Sequence, residues 1–472
     1  MKHKFIAFVT AFSCLIAVAT AGGAKMKGTT EENIFENEYA AETKASAYWD
    51  DGTPFEPVLR FISASDSHLY DWYQPLSDNR LANMFDDVYE WAETQSYKKV
   101  DAFVMNGDFV ETGTEAQYER LNSILDAHMK PETARLLNQA GHEVWIGANG
   151  SHDEGVLDGE RFVSFTGCDL AMHVVINGFD FITIPASWPV EVYEQYGSEW
   201  LANELEIAEA RSGDYAKPIF VFHHHDIGGG RGGILASDWY HIPEFTEVLY
   251  RYPQIIYSAG HTHIPICHPK AVYQDTFTHL NTGTLHYTCH AGTGQPMLYP
   301  PVSTAYAGMY IVEVDAYNRV RVLAYNLVTR EFMASPSSYE DTRLIYYIDE
   351  PGNTSTYRYT DRRDEDADVP IWENEAKIEV VCSGSGAKIS FSQALDGECV
   401  EQYNLRIYDG ETEVYQSWES SRFYLSPMPE TITASVNAEN LVRGKTYTVS
   451  IVAKDAFEKY SEPLEGDFTF SY

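Results

Sequence analysis

At 472 residues the chain exceeds one ordinary domain and is expected to fold as two or three. A composition of 44% apolar and 14% aromatic residues supports packed cores and excludes a disordered chain. With 33 basic against 70 acidic residues the net charge is −37, which excludes nucleic acid and anionic membrane surfaces as generic partners. An anionic substrate on such a protein needs a local cationic centre, such as metal ions.

Lys2 and Lys4 precede an uncharged apolar run, FIAFVTAFSCLIAVATA, that ends in the small residues Ala19, Thr20 and Ala21. This pattern predicts a signal peptide over 1–21 and a secreted protein, extracellular or periplasmic, with no stable membrane span after cleavage. An uncleaved anchor is the alternative, because the run approaches the length of a span. Residues 22–54 are polar and acidic, an N-terminal extension. Of six cysteines, Cys14 falls in the signal. Cys267 with Cys289, and Cys382 with Cys399, would each close a hairpin-sized loop, leaving Cys168 unpaired; spacing alone does not settle the connectivity. The absence of a CxxC pair argues against a thiolate zinc site.

From Pro57 the pattern changes. The short apolar runs VLRFISASD (58–66), VDAFVMNGD (100–108), EVWIG (143–147), FDFITI (179–184), KPIFVFHHH (217–225) and QIIYSAGHTH (254–263) predict buried strands. Helical spacing in LANMFDDVYEWAET (81–94), TEAQYERLNSILDAHM (114–129) and the segments around 198–211 and 243–250 places helices between some of them. Alternating strands and helices imply an α/β layered domain, assigned to 55–335 and closed by strands at GMYIVEVD and RVRVLAYNLV. Residues 336–372 are an acidic, Pro- and Gly-containing connector, with LIYYI a candidate strand inside it. Residues 373–472 alternate with period two between turn residues. They predict an all-β immunoglobulin or fibronectin III-like sandwich.

Polar residues gather where the α/β strands stop. Asp66-x-His68 puts a carboxylate and an imidazole on one side of a turn, a workable chelate for a divalent ion. Asp108 offers two oxygens able to bridge two ions, and Gly107 permits close approach. His261 and His263 leave a buried strand on either side of Thr262, and His223, His224 and His225 end another. Strand carboxyl ends are where α/β sheets hold their ligands, so these positions can converge.

In that order, DxH, GD, the 150–153 segment, strand-HHH and GHTH resemble the calcineurin-like metallophosphoesterase family over residues 57–330. The resemblance implies a four-layer β-sandwich flanked by helices and a dinuclear site. Asp66, His68 and His263 would hold the first ion, Asp108 would bridge, and His224 and His261 would hold the second. His224 would precede Asp226 where the family has His-x-Pro, and His223 or His225 would lie behind the ligands or face substrate. His152 would touch substrate and protonate the leaving oxygen, with Asp153 orienting its ring. Two ions of Fe, Mn, Zn or Co would activate a hydroxide for in-line attack on phosphorus.

The family also places an Asn ligand just before the catalytic His, where Ser151 stands here. Alignment favours Ser151, and chemistry favours Asn149, brought round by Gly147 and Gly150. Asn149-Gly150-Ser151 is formally a glycosylation sequon, but Asn353-Thr354-Ser355 is the better placed one. Glu111 stands where purple acid phosphatases carry an iron-binding Tyr, so no purple chromophore is expected. GGGRGG lacks the Lys and Ser/Thr of a phosphate loop, and Trp239, Tyr240 and His241 after it are candidates for substrate contact. Asn281 to Thr284 either buttress the site or form a plain turn; His142, His173 and His268 are ordinary polar histidines.

The expectation is an exported metal-dependent phosphoesterase acting on a small phosphate ester. Its alternatives are a phosphodiesterase rather than a phosphomonoesterase, or a degenerate binding protein on the same scaffold. Cell-surface or carbohydrate contact falls to the C-terminal module.

Overall fold

The computed structural model describes residues 49–133, 136–137, 143–153, 159–186, 198–213, 217–227, 243–289, 302–338 and 342–472. The predicted signal peptide, most of the N-terminal extension, His142 and the GGGRGG loop with Trp239, Tyr240 and His241 lie outside them.

The strands of the α/β part are β1 (Pro57–Ala64), β2 (Ala102–Asn106), β3 (Leu136–Leu137), β4 (Glu143–Val144), β5 (Ile146–Ala148), β6 (Met172–Ile176), β7 (Phe179–Ile184) and β8 (Ile219–His223). They continue as β9 (Ile255–Ala259), β10 (Val272–Gln274), β11 (Thr278–Asn281), β12 (Gly308–Asp315), β13 (Val320–Asn326), β14 (Glu331–Phe332) and β15 (Ile345–Ile348). Helices α1 (Pro75–Glu93), α2 (Glu115–His128), α3 (Glu160–Thr166), α4 (Ser198–Ser212) and α5 (Pro243–Leu249) lie between them. Helix α1 opens on Pro75, whose fixed φ suits the first turn. Thr114 and Gln117 close a capping box at the start of α2.

Two sheets result. One runs β14-β13-β12-β1-β2-β5, with β15 added to β13; the other runs β10-β11-β9-β8-β7-β6. β1, β2 and β5 are parallel, as are β7, β8, β9 and β11. Central parallel strands are covered on both faces, which is why their sequences are nearly unbroken apolar runs. Phe61 of β1 meets Phe181 and Phe220 of the second sheet at 5.1 and 4.9 Å between rings, so the inner faces form one core. Outside the first sheet, Ile62, Phe103 and Met105 pack on Met84 and Phe85 of α1 and Leu121 of α2. Outside the second, Val221 and Ile255 pack on Leu201 and Leu205 of α4 and Leu249 of α5. The order helix, sheet, sheet, helix gives the four expected layers. LIYYI within the connector is strand β15, paired antiparallel with β13.

The C-terminal strands are β16 (Ile378–Ser383), β17 (Gly386–Ser392), β18 (Val400–Asp409), β19 (Thr412–Ser420), β20 (Thr431–Asn437), β21 (Thr446–Asp455) and β22 (Leu464–Thr469). They form the sheets β16-β17-β20 and β19-β18-β21-β22, antiparallel throughout. Phe391, Tyr403, Ile432 and Ile451 fill the space between them. Cys399, Phe423, Tyr424, Ala456 and Phe457 instead join the core of the α/β part, against Cys267 and Tyr306.

That packing overturns the two disulfide expectations. All five described cysteines are free thiols. Cys399 is buried at the foot of β18 in the shared core, whereas Cys382 lies half-buried on β16 with Sγ directed at the Thr469 carbonyl. Cys267 and Cys289 are each buried separately, and Cys289 donates its backbone N–H to the His263 carbonyl.

A buried ion triad ties three adjacent strands. Glu313 on β12 receives Arg60 Nε from β1 at 2.7 Å and Arg321 Nε from β13 at 3.0 Å, with all three side chains at most 1% exposed. Burial disfavours the Glu313 charge, but the two guanidiniums outweigh it and hold its pKa below the usual range. Glu313→Gln would leave two buried cations facing a neutral amide. The expected loss is about 3–5 kcal/mol, measured as a lowered urea midpoint with an unchanged slope.

Candidate metal centre

The strands deliver the polar residues to one end of the two sheets. Asp66 and His68 follow β1, Asp108 follows β2, Asn149 to Asp153 follow β5, His224 and His225 follow β8, and His261 and His263 follow β9. Five of these side chains project from left-handed backbone: φ is 57° at Asp66, 46° at His68, 50° at Asp108, 65° at His261 and 55° at His263. Non-glycine residues in that region carry strain of about 1–3 kcal/mol each and persist only where surrounding bonds impose it. Here Asp66 N and His68 N donate to the carbonyls of Gly107 and Asp108, and His261 N donates to Asp66 Oδ2, each at 3.0 Å.

The donor atoms form overlapping groups, each with its atoms within 4.8 Å of one another: Asp66, His68 and His263; Asp66, Asp108 and His224; His224, His225 and His261. His263 Nε2 stands 3.0 Å from Asp66 Oδ1, and His224 Nε2 stands 3.1 Å from Asp108 Oδ2. Yet Asp66 Oδ1 and His224 Nε2 are buried and make no hydrogen bond. They converge without hydrogen-bond alignment, as ligand atoms around a shared ion do. The far side of three rings is fixed. Nδ1 of His68 meets Glu111 Oε2 at 2.8 Å, that of His224 meets the Asn106 carbonyl at 2.7 Å, and that of His263 meets the Tyr287 carbonyl at 2.7 Å. A proton on each Nδ1 leaves the Nε2 lone pair facing the group, the tautomer a ligand requires.

The charges respond to one another. Burial opposes a charge on His68, but the neighbouring Asp66, Glu111 and Asp108 carboxylates outweigh it and raise its pKa to about 10. Burial likewise opposes a charge on His224, and Asp108 outweighs it, raising the pKa to about 9. Burial would raise the Asp108 pKa, but the His224 charge lowers it to about 2. His261 falls to about 4 through burial and the neighbouring His224. The carboxylates thus gather positive charge onto this spot.

Three glycines shape the floor. A Cβ on Gly107 would lie 2.4 Å from His224 Nδ1, on Gly150 2.2 Å from Asp108 Oδ1, and on Gly260 2.6 Å from Asp66 Oδ2. Each therefore admits the backbone into contact with a candidate ligand. Asn281 Nδ2 donates to Thr262 Oγ1 at 2.5 Å and Thr284 Oγ1 to the Asp66 carbonyl at 3.2 Å, so the 281–284 turn does buttress the site.

The structure reassigns several residues. Asp153 does not orient the His152 ring. Its buried carboxylate accepts the backbone N–H groups of Phe109 and Val110 through Oδ1 and of Gly150 through Oδ2, at 2.7 to 3.1 Å. It stitches the β2 turn to the β5 turn. The His152 ring is held by Glu111 instead, with Nδ1 at 2.8 Å from the Glu111 carbonyl, while its backbone N–H donates to Asp108 Oδ1 at 2.8 Å. Asn149 is fully buried with Oδ1 accepting from Ala186 N at 3.2 Å, whereas Ser151 is exposed. His223 turns away to Tyr257 Oη at 2.8 Å, and His225 joins the group with His224 and His261. His173 pairs with Asp180 and Glu204 outside the site, and His268 accepts from Lys270 N.

Glu111, His286 and Arg80 are additions. His286 is buried with its ring 5.7 Å from His68. Arg80 of α1 is buried and donates to the carbonyls of Leu285, at 2.9 Å, and His286, fixing that turn. Only the Asp108+3 spacing of Glu111 offered a signal; the other two carry none in sequence.

One comparison with known proteins bears on this geometry. The calcineurin-like phosphoesterase family model matches residues 59–265. Comparison with curated protein sequences returns no match. Among solved structures, a purple acid phosphatase from yellow lupin (Lupinus luteus) seeds is similar at 10% identity over 64% of this chain, with a TM-score of 0.42; the chain covers 55% of that protein. The FN1–FN3 domains of chicken CNTN1 align at 15% identity over 39% of this chain and 46% of theirs, with a TM-score of 0.17. A redesigned β-sandwich protein aligns at 19% identity over 22% of this chain and 89% of its own, with a TM-score of 0.15. These scores are too low to bear on fold, so the family model carries the assignment. Residues 59–265 thus match a calcineurin-like phosphoesterase domain, and this match with the His and Asp clusters supports a metal-dependent hydrolase acting on phosphate esters.

Proposed function

We propose that the protein is an exported phosphoesterase that works with two metal ions, held by Asp66, His68 and His263 on one side and by His224, His261 and Asn149 on the other, with Asp108 between them. The observation that carries this is the sharing of Asp66 and His224 between adjacent donor groups, which supports two binding positions side by side. His225 is a further donor for the second position. The all nitrogen and oxygen donor set suits Fe, Mn, Zn or Co. When bound, the ions supply Lewis acidity to the phosphoryl oxygens and lower the pKa of water. The N-terminal apolar run supports export, and the sheets of three and four strands support a fibronectin III-like module.

His152 is the acid for the leaving oxygen. Its Nδ1–H stays bonded to the Glu111 carbonyl, and the Glu111 carboxylate lies 3.9 Å from the same nitrogen. With Nδ1 engaged, Nε2 is the nitrogen left to deliver a proton as the P–O bond breaks. Glu111 also holds His68 through its carboxylate. One residue therefore sets both a ligand, through its carboxylate, and the acid, through its backbone carbonyl. The engagement of Asn149 Oδ1 by Ala186 favours a second reading, a weakened second position and a binding protein on the same scaffold. Asn149 answers this in part, because a carboxamide oxygen has two lone pairs.

Elemental analysis beside hydrolysis of aryl phosphate monoesters and diesters tests the proposal. Two ions per chain with turnover support it; no turnover with any of several divalent ions, at near-zero metal content, sinks it. The better ester separates phosphomonoesterase from phosphodiesterase. His152→Ala should lower kcat by about 10²- to 10⁴-fold at unchanged metal content. Glu111→Gln should weaken metal binding by about 10- to 100-fold, read by competition with a chelator. Gly150→Ala should lower metal content while the far-ultraviolet circular dichroism stays unchanged. Loss of the second ion in Asn149→Ala, but not in Ser151→Ala, would assign the remaining ligand.

A further inference from the structure

The turn after His68 carries a row of aromatic residues, Tyr70, Trp72 and Tyr73. Trp72 is 61% exposed. Its ring lies 5.0 Å from that of Tyr70, tilted by 34°, and Tyr70 lies 5.9 Å from His286. His286 in turn lies 5.7 Å from His68 and 5.3 Å from Tyr287. A line of neighbouring rings, meeting edge-on between Tyr70 and His286, therefore runs from a candidate metal ligand out to solvent. The catalytic His152 sits at the same ring, 4.8 Å from His68.

The loop is pinned, so the exposed indole is not a by-product of slack chain. Leu69 bridges to Val110, Thr114 Oγ1 donates to Asp71 Oδ1 at 2.6 Å, and Gln74 N donates to Asp78 Oδ2 at 3.0 Å. Tyr73 turns aside to Asn79, under Arg120, and belongs to this framework. On the far side Arg80 fixes the turn bearing His286. An exposed Trp on an ordered loop beside a reaction centre is an apolar surface awaiting a ligand group.

His152 and the line of rings both meet at His68, so a phosphate ester with its phosphorus at the donor groups and its leaving oxygen at His152 would have its alcohol within reach of those rings. We infer that Tyr70 and Trp72 form a stacking platform for the alcohol portion, selecting small phosphate esters whose alcohol carries a planar aromatic ring. The inference rests on the phosphoesterase reading of the metal centre. A flat π-face matches the tilted Tyr and Trp faces better than a saturated ring does. The net charge of −37 restricts the class to small molecules rather than polymeric nucleic acid.

Three phosphonates test it, because they share one anionic head and resist hydrolysis. Metal-loaded full-length protein is titrated calorimetrically with phenylphosphonate, cyclohexylphosphonate and methylphosphonate. The phenyl compound should bind about 5- to 100-fold more tightly than the other two, the range expected for one stacked ring. Trp72→Ala should bring that ratio close to one, and Trp72→Phe should keep most of it; metal content and circular dichroism verify both variants. Equal binding of phenyl and cyclohexyl compounds, or an unchanged ratio in the Trp72→Ala/Tyr70→Ala double variant, overturns the platform. A Trp72-dependent phenyl preference without turnover of phenyl phosphate defeats the catalytic reading and leaves the platform standing. Turnover without ring preference does the reverse, and failure of all three phosphonates to bind defeats both.

Discussion

Asp66 and Asp108 lie side by side with 0% and 1% exposure, and two carboxylates cannot stay ionised out of water without positive charge between them. Much of the surrounding structure answers that demand. Three imidazoles point Nε2 at the pair, and three oxygens hold those imidazoles from behind. Left-handed turns at five positions bring side chains from three strands to one point. The chain is strongly acidic overall, yet it concentrates cationic capacity at the one place where a phosphoryl group would need it.

That demand also explains which parts were legible in sequence. The strands were visible because burial on both faces forces unbroken apolar runs, and the metal-binding candidates because they stand at the ends of those runs. The left-handed conformations of Asp66, His68, Asp108, His261 and His263 were not legible, since Asp and His tolerate positive φ better than most side chains without requiring it; it is imposed by neighbouring strands. For the same reason the role of Asp153 was misread. Adjacent to His152 in sequence, its carboxylate is drawn instead to backbone N–H groups on the turn after β2. Sequence proximity favoured Asp153, and the pairing of Leu69 with Val110 put Glu111 against the ring instead. The disulfide expectation failed because loop length says nothing about which face of a strand a cysteine occupies.

Asn149 and Ser151 show the same limit at finer scale. The family pattern directs attention to the residue just before His152, but that residue is exposed, and the buried amide lies two positions earlier. Gly150 sits between them against Asp108, so the turn passes the carboxylate with no side chain in the way. Glycine here sets how near the chain may come, which spacing alone does not encode.

The C-terminal module carries a consequence of another kind. Cys399, Phe423, Tyr424, Ala456 and Phe457 contribute to the same apolar cluster as Phe61 and Phe222, and Glu401 receives Lys454 beside His268 at that seam. A module hung on a linker melts independently, but two parts that share a core lose it together. The β-sandwich is thermodynamically part of the catalytic body, and a change in its seam is felt as stability by residues at the metal centre that it never touches.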